Sequence, residues 1–223
     1  MTFSPDTCPH IFFDLDGTLT DSKEGILRCV QYALEQCGRP VPDAAALSPF
    51  IGPPLLDSFQ NITGMEHEEA AYAVAQYRAR FSKVGMFENS VYPGIPQLLE
   101  DLHTAGYLLA VATSKPEVYT LQILEYFHLT NFFTVIAGSD IHREGETKAD
   151  IIRLACKRLS LPEEAAPGTI MVGDRKHDLI GAHACKIPCI GVAYGYADPG
   201  ELEAYHADFI AEDVSALSKI FLP

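Results

Sequence analysis

Ile11-Phe12-Phe13-Asp14-Leu15-Asp16-Gly17-Thr18-Leu19-Thr20-Asp21-Ser22 is the stretch on which the fold turns. Three large apolar residues without a polar break read as a strand buried on both faces, as in a parallel sheet covered by helices. Two aspartates follow, two residues apart, and period-two geometry can direct both carboxylates toward one site. Gly17 then permits a sharp turn and the close approach of a ligand. An ordinary acidic turn at a strand end would account for either aspartate alone; it accounts poorly for the two together.

Outward from this stretch, apolar runs recur at 107–112, 134–137, 169–172 and 189–193, separated by segments of helical periodicity. That alternation predicts an α/β fold with a doubly wound, mostly parallel sheet as its core. Ligands of such folds bind beyond the carboxyl ends of the strands, where loops enter the following helices.

Residues 22–89 read differently. Asp21-x-x-Glu24 resembles a capping box, and Ile26, Leu27, Val30, Leu34 and Cys37 form a helical stripe closed by Gly38 and Pro40. Ala70, Val74, Tyr77, Phe81 and Val84 repeat at spacings of four and three before Gly85, and no strand is expected between Pro40 and Tyr92. The segment is therefore expected to be a small helical cap inserted after the first strand, with 1–21 and 90–223 forming the catalytic core. Pro93-Gly94 and Gly106 bracket the next helix, with Leu98, Leu99 and Leu102 facing inward.

Lysine and arginine number 16 against 30 aspartates and glutamates, a formal charge of −14 in 223 residues. Such a chain is a poor partner for nucleic acid or an anionic membrane. A phosphate site within it needs local positive charge from a metal, a lysine or backbone amides. The six cysteines, at 8, 29, 37, 156, 185 and 189, include no C-x-x-C pair, and Cys185 and Cys189 read as buried thiols. No basic segment leads into a long apolar run, and no eighteen apolar residues follow one another. A cytoplasmic protein without a membrane span is the expectation.

Three further strand ends carry chemistry. Met171-Val172-Gly173-Asp174-Arg175-Lys176-His177-Asp178 again delivers acids after an apolar strand, and a helical turn from Asp174 to Asp178 would place both carboxylates on one face. Hard oxygen ligands of this kind suit magnesium. Arg175, Lys176 and His177 lend that motif basic potential. In Ala110-Val111-Ala112-Thr113-Ser114-Lys115-Pro116, a hydroxyl and nearby amides can hold phosphate oxygens at a helix start. In Gly145-Glu146-Thr147-Lys148-Ala149-Asp150, Lys148 can supply a point charge. Alone, Thr113 would most often be a helix cap and Lys148 a surface lysine; their order in the whole set favours function.

The ordered set resembles the haloacid dehalogenase-like hydrolase superfamily, in particular its phosphoglycolate phosphatase-like members with a helical cap. The resemblance runs through Asp14-Leu15-Asp16-Gly17-Thr18, Thr113 with Ser114, Lys148, and Gly173-Asp174 followed by Asp178. It implies that Asp14 is the nucleophile and Asp16 the general acid and later base. It implies Mg2+ held by Asp14, the Asp16 backbone carbonyl and Asp174, with Asp178 ligating through water or orienting the metal shell. Thr113, Ser114 and Lys148 would bind phosphate. The implied reaction is magnesium-dependent hydrolysis of a small phosphorylated metabolite through an aspartyl phosphate.

By the same resemblance, Asp16 argues against dehalogenase or phosphonate-cleaving chemistry, and Gly173 argues against a phosphoglucomutase-like enzyme, which carries Glu-Asp there. A phosphoacceptor signalling domain would place its acceptor aspartate on a later strand. Phosphoglycolate, nucleoside monophosphates as in a 5′-nucleotidase, and sugar phosphates all stay open as substrates. The basic run after Asp174 departs from the small residue common in phosphoglycolate phosphatases. Arg78, Arg80, Glu88 and Asn89 are candidate specificity contacts in the cap, although a solvated helix face is the better explanation of the arginines. The expected molecule is a monomer or homodimer.

Overall fold

The computed structural model describes residues 3–143 and 145–222. Its strands are β1 (His10–Phe13), β2 (Thr20–Asp21), β3 (Ser90–Val91), β4 (Leu108–Pro116), β5 (Phe133–Ser139), β6 (Thr169–Gly173), β7 (Cys189–Val192) and β8 (Phe209–Ala211). The helices are α1 (Lys23–Gln36), α2 (Leu55–Thr63), α3 (His67–Phe81), α4 (Ile95–Thr104), α5 (Glu117–Tyr126), α6 (Lys148–Arg158), α7 (Lys176–Ala184), α8 (Glu201–Ala204) and α9 (Val214–Phe221).

Six strands form one sheet in the order β5-β4-β1-β6-β7-β8, every pair parallel. β1 lies inside the sheet because Ile11, Phe12 and Phe13 are fully buried and can be covered on both faces. Phe13 is in register with Val111 of β4 and with Val172 of β6, so the chains that leave these strands emerge side by side. The order changes direction at β1, where chain crossovers part to opposite sides and leave a crevice beyond the strand ends. Phe12, Ala110, Ala112, Ile152, Met171, Leu179 and Cys189 form the core that joins this sheet to α6 and α7.

β8 was not legible as an apolar run: it has three residues, of which only Ala211 is fully covered, at the sheet edge. The chain divides into two compact units, 1–21 with 91–223, and 22–90. In the second, α1 and α3 pack together through Ile26, Leu27, Val30 and Leu34 on one side and Ala70, Val74, Tyr77 and Phe81 on the other. Val84 lies beyond the end of α3 and is exposed, so the stripe stops at Phe81.

Two further expectations are corrected here. The residue that caps α1 is Ser22, with no side-chain capping hydrogen bond, while Asp21 belongs to β2 and accepts a hydrogen bond from the Tyr196 hydroxyl at 2.8 Å. The range expected to hold no strand contains the two-residue β3. All six cysteines are free, and Cys185 and Cys189 are buried thiols. Among the described residues, no helix is long and apolar enough to cross a membrane.

Candidate active site

Asp14 leaves the end of β1 with its N–H donating to Val172 C=O at 2.9 Å, which ties the aspartate to the end of β6. The chain then turns sharply, with Leu19 and Thr20 N–H both donating to Leu15 C=O. Gly17 holds φ near +80°, and a Cβ there would also overlap the carboxylate of Asp174. Glycine is required twice over, by backbone conformation and by close approach.

Lys148 is the first residue of α6, placed by a capping box. Thr147 N–H donates to Asp150 Oδ2 at 3.0 Å, and Asp150 N–H donates back to Thr147 Oγ1 at 3.3 Å. The buried ammonium reaches Asp14 Oδ1 at 2.8 Å and Asp178 Oδ1 at 2.7 Å, and donates to Ala112 C=O at 3.1 Å. One lysine thus joins the ends of β1 and β4 to the first turn of α7.

Asp174 and Arg175 precede α7, which begins at Lys176, so the expected helical turn from Asp174 to Asp178 does not form. The two acids meet because Asp178, in the first turn of α7, folds back to accept Arg175 N–H at 3.1 Å. Asp174 is fully buried and accepts Tyr196 N–H on Oδ2 at 2.7 Å and the Thr18 hydroxyl on Oδ1 at 3.5 Å. Ligand oxygens of Asp14, Asp174 and Asp178 lie within 4.8 Å of one another.

This crowding shifts the buried groups. Burial, then the charges of Asp178 and Asp14, raise the Asp174 carboxyl well above the ordinary aspartate value. Burial pushes Asp178 up to about 6, against the pull of Lys148 and with the push of Asp14. For Lys148, burial favours the neutral amine, but Asp14 and Asp178 outweigh it and hold the ammonium charged.

Three crowded carboxylates, those of Asp174 and Asp178 buried and that of Asp14 half-buried, beside a single lysine leave surplus negative charge on hard oxygen donors, so the residues present fit a magnesium ion. Asp14, Asp174 and Asp178 could supply its side-chain ligands. The side chain of Asp16 stands apart from these three and pairs instead with Lys115.

Thr113 is buried at the end of β4, immediately after the residue whose carbonyl accepts Lys148. Its Oγ1 accepts Lys115 N–H at 3.3 Å, and α5 is capped by Pro116, so Thr113 is not a helix cap. Ser114 is exposed, and its carbonyl accepts the Ser139 hydroxyl at 2.9 Å. In the helical unit, Arg80 and Glu88 engage each other through two hydrogen bonds, of 2.6 and 3.0 Å, and Arg28 joins at 2.8 Å. Arg78 and Asn89 are half-buried in that unit.

The basic potential read from Arg175-Lys176-His177 is largely spent locally. Glu201 accepts Arg175 Nε at 2.8 Å, Arg175 Nη2 at 3.2 Å and Lys176 N–H at 2.8 Å. Burial also keeps His177 below the ordinary histidine value, and the positive charges of Arg175 and Lys176 add to that effect. Sequence reading missed Glu201 and Tyr196, which brace this loop from beyond β7, and it gave Lys115 no role. The signal for Lys115 was its period-two spacing from Thr113; nothing local marked the other two.

Asp14 at the end of a central parallel strand, with the buried Lys148 and the acids Asp174 and Asp178 gathered beside it, fits phosphate-ester chemistry. The chain belongs to the family described as haloacid dehalogenase-like hydrolase, whose model matches residues 11–192. It is a phosphoric monoester hydrolase, similar to the phosphoglycolate phosphatase-like members. It is 44% identical over 212 residues to a 5′-nucleotidase of Pseudomonas aeruginosa, with 95% of each chain covered. It is 41% identical over 209 residues to the tyrosine-protein kinase PtkA of Mycobacterium tuberculosis, covering 93% of this chain and 67% of that protein. A plasmid phosphoglycolate phosphatase of Cupriavidus necator is 30% identical over 220 residues, covering 97% and 94%. The crystal structure of a predicted phosphatase from Clostridium acetobutylicum superposes with a TM-score of 0.88 at 42% identity, covering 98% of each chain.

Proposed function

We propose that this phosphatase is magnesium-dependent, acts through an aspartyl phosphate on Asp14, and takes nucleoside 5′-monophosphates as its substrate class. The observation that carries the mechanism is the position of Lys148, which holds Asp14 and Asp178 at 2.8 and 2.7 Å beside the buried Asp174.

A carboxylate attacking a phosphate dianion must overcome like-charge repulsion. Lys148 lowers that barrier, and its ion pair with Asp14 Oδ1 fixes one carboxylate oxygen so that the other can approach phosphorus. Asp14, Asp174 and Asp178, with the Asp16 backbone carbonyl, would hold magnesium, which would supply the remaining charge compensation. Thr113 and Ser114, at the end of β4, would hold phosphate oxygens. As Asp14 bonds to phosphorus the ester P–O bond breaks, and Asp16 gives its proton to the departing oxygen. A water molecule then attacks the acyl phosphate and loses its proton to Asp16. Inorganic phosphate leaves and Asp14 is restored.

The nucleotide assignment is supported by the relative named 5′-nucleotidase, which is similar along almost the whole chain. Phosphoglycolate is the second reading, supported by the Cupriavidus necator relative. A net charge of −14 favours a free metabolite over nucleic acid or an anionic membrane.

The test is phosphate release from a panel of nucleoside monophosphates, phosphoglycolate, sugar phosphates and phosphotyrosine, ranked by kcat/KM. Nucleoside monophosphates should rank first. A chelator should abolish turnover, magnesium should restore it, and calcium, with its larger and looser coordination, should substitute poorly. Full activity in metal-free buffer would overturn the metal site, and phosphoglycolate in first place would replace the substrate reading.

A further inference from the structure

Lys115 closes β4 in an unusual way. The register of β4 with β5 runs from Thr113 opposite Gly138 directly to Pro116 opposite Ser139, so Ser114 and Lys115 are extra residues on one strand. Irregularities of this kind re-aim a side chain beside a site. The backbone here is held at several points. Lys115 N–H donates to Thr113 Oγ1, Ser114 C=O accepts the Ser139 hydroxyl, and Lys115 C=O lies so close to Gly138 that a Cβ there would stand 2.7 Å from it. Proline follows, with φ at −53°.

From this rigid base the side chain runs inward, only 7% exposed, to place Nζ 2.8 Å from Asp16 Oδ2. The other oxygen, Asp16 Oδ1, is buried and has no hydrogen-bond partner among the described residues. A buried lysine is costly unless its charge is compensated, and a carboxyl side chain with two free torsions is otherwise poorly aimed. The pairing meets both needs.

We infer that Lys115 is a positioning residue for Asp16, holding the carboxyl by Oδ2 so that Oδ1 faces the oxygen that leaves the substrate. The inference rests on the proposed phosphatase mechanism, in which Oδ1 delivers one proton to the departing oxygen and regains one from the attacking water. Lys148 attends the nucleophile and Lys115 the acid, so the two lysines divide the labour that their shared charge would otherwise blur.

The readout is leaving-group dependence, which a lysine that merely held phosphate or supported the fold would not alter. Lys115→Met should lower kcat/KM on phenyl phosphate about 100-fold, the scale of general-acid catalysis, and on 4-nitrophenyl phosphate by only about threefold, because nitrophenolate leaves without a proton. Lys115→Arg, which keeps a cation over Asp16, should recover most of the loss and serves as the folded comparison if the methionine variant is unstable. Added to Asp16→Asn, Lys115→Met should cost little more, since both remove one function.

An equal loss on both esters, no loss on either, or losses that multiply with Asp16→Asn would overturn the inference. Turnover by the unmodified enzyme and its absence in Asp14→Asn test the phosphatase mechanism separately. A failure of that mechanism therefore shows in those two proteins, whatever Lys115 does.

Discussion

Replacing Asp174 by asparagine should make the metal-free protein more stable while destroying its activity. The amide fits the existing contacts: its oxygen can accept Tyr196 N–H, and its NH2 can donate to the Thr18 hydroxyl. What disappears is charge. Asp14 and Asp178, whose ligand oxygens lie within 4.8 Å of that of Asp174, carry two negative charges, and Lys148, paired with both, carries one positive charge, so Asp174 faces a net charge of about −1. At an effective dielectric of about 20, this repulsion is worth about 3 kcal/mol. In a chain of this size that corresponds to roughly 6–12 °C in Tm.

The pH dependence has a definite sign. Asp174 is raised in the folded state, so the folded protein binds a proton that the unfolded chain releases near 3.8, and the wild type loses relative stability as pH climbs above that value. The gain from asparagine should be small at pH 4 and larger at pH 7. Thermal melts in chelator at both pH values, repeated with magnesium, measure it. Magnesium should raise the wild-type Tm at pH 7 and leave Asp174→Asn unmoved. A variant that melts at or below the wild type in chelator at pH 7, or that gains equally at both pH values, would refute the electrostatic account.

The two acids of the first motif should separate cleanly. Asp14→Asn should lose both turnover and acyl-phosphate formation, whereas Asp16→Asn given 4-nitrophenyl phosphate should accumulate phosphoenzyme, because water attack then lacks its base; acid quench and peptide mass spectrometry locate the modification, and phosphate on another residue sinks the mechanism. Gly195→Ala would drive a methyl group into Asp174 and the Gly17 carbonyl. It should cost about 1–3 kcal/mol in Tm measurements, and the displaced ligand should weaken magnesium half-saturation at least about tenfold; an unchanged magnesium requirement would refute the role given to this close packing.

The parts of the fold and site legible in the sequence share a physical reason: their signals are local. Ile11-Phe12-Phe13 reads as a buried strand because three adjacent side chains must all leave water, and Lys148 reads as a helix entrance because its capping box spans four residues. β8 escaped because its three residues are half-covered at an edge. The proposed cap at Asp21 failed because Ser22 takes the capping position while Tyr196, far along the chain, takes the Asp21 carboxylate.

The sequence by itself determined the α/β class, the order of the sheet-forming runs and the acid-bearing strand ends, since periodicity and strand-end chemistry are properties of neighbouring residues. Only the tertiary structure decided which of those groups meet. It set Lys148 between Asp14 and Asp178, turned the carboxylate of Asp16 to Lys115, and spent the charge of Arg175 on Glu201. Charges interact through distance in space, and no pattern along the chain fixes a separation of about 3 Å between residues a hundred positions apart.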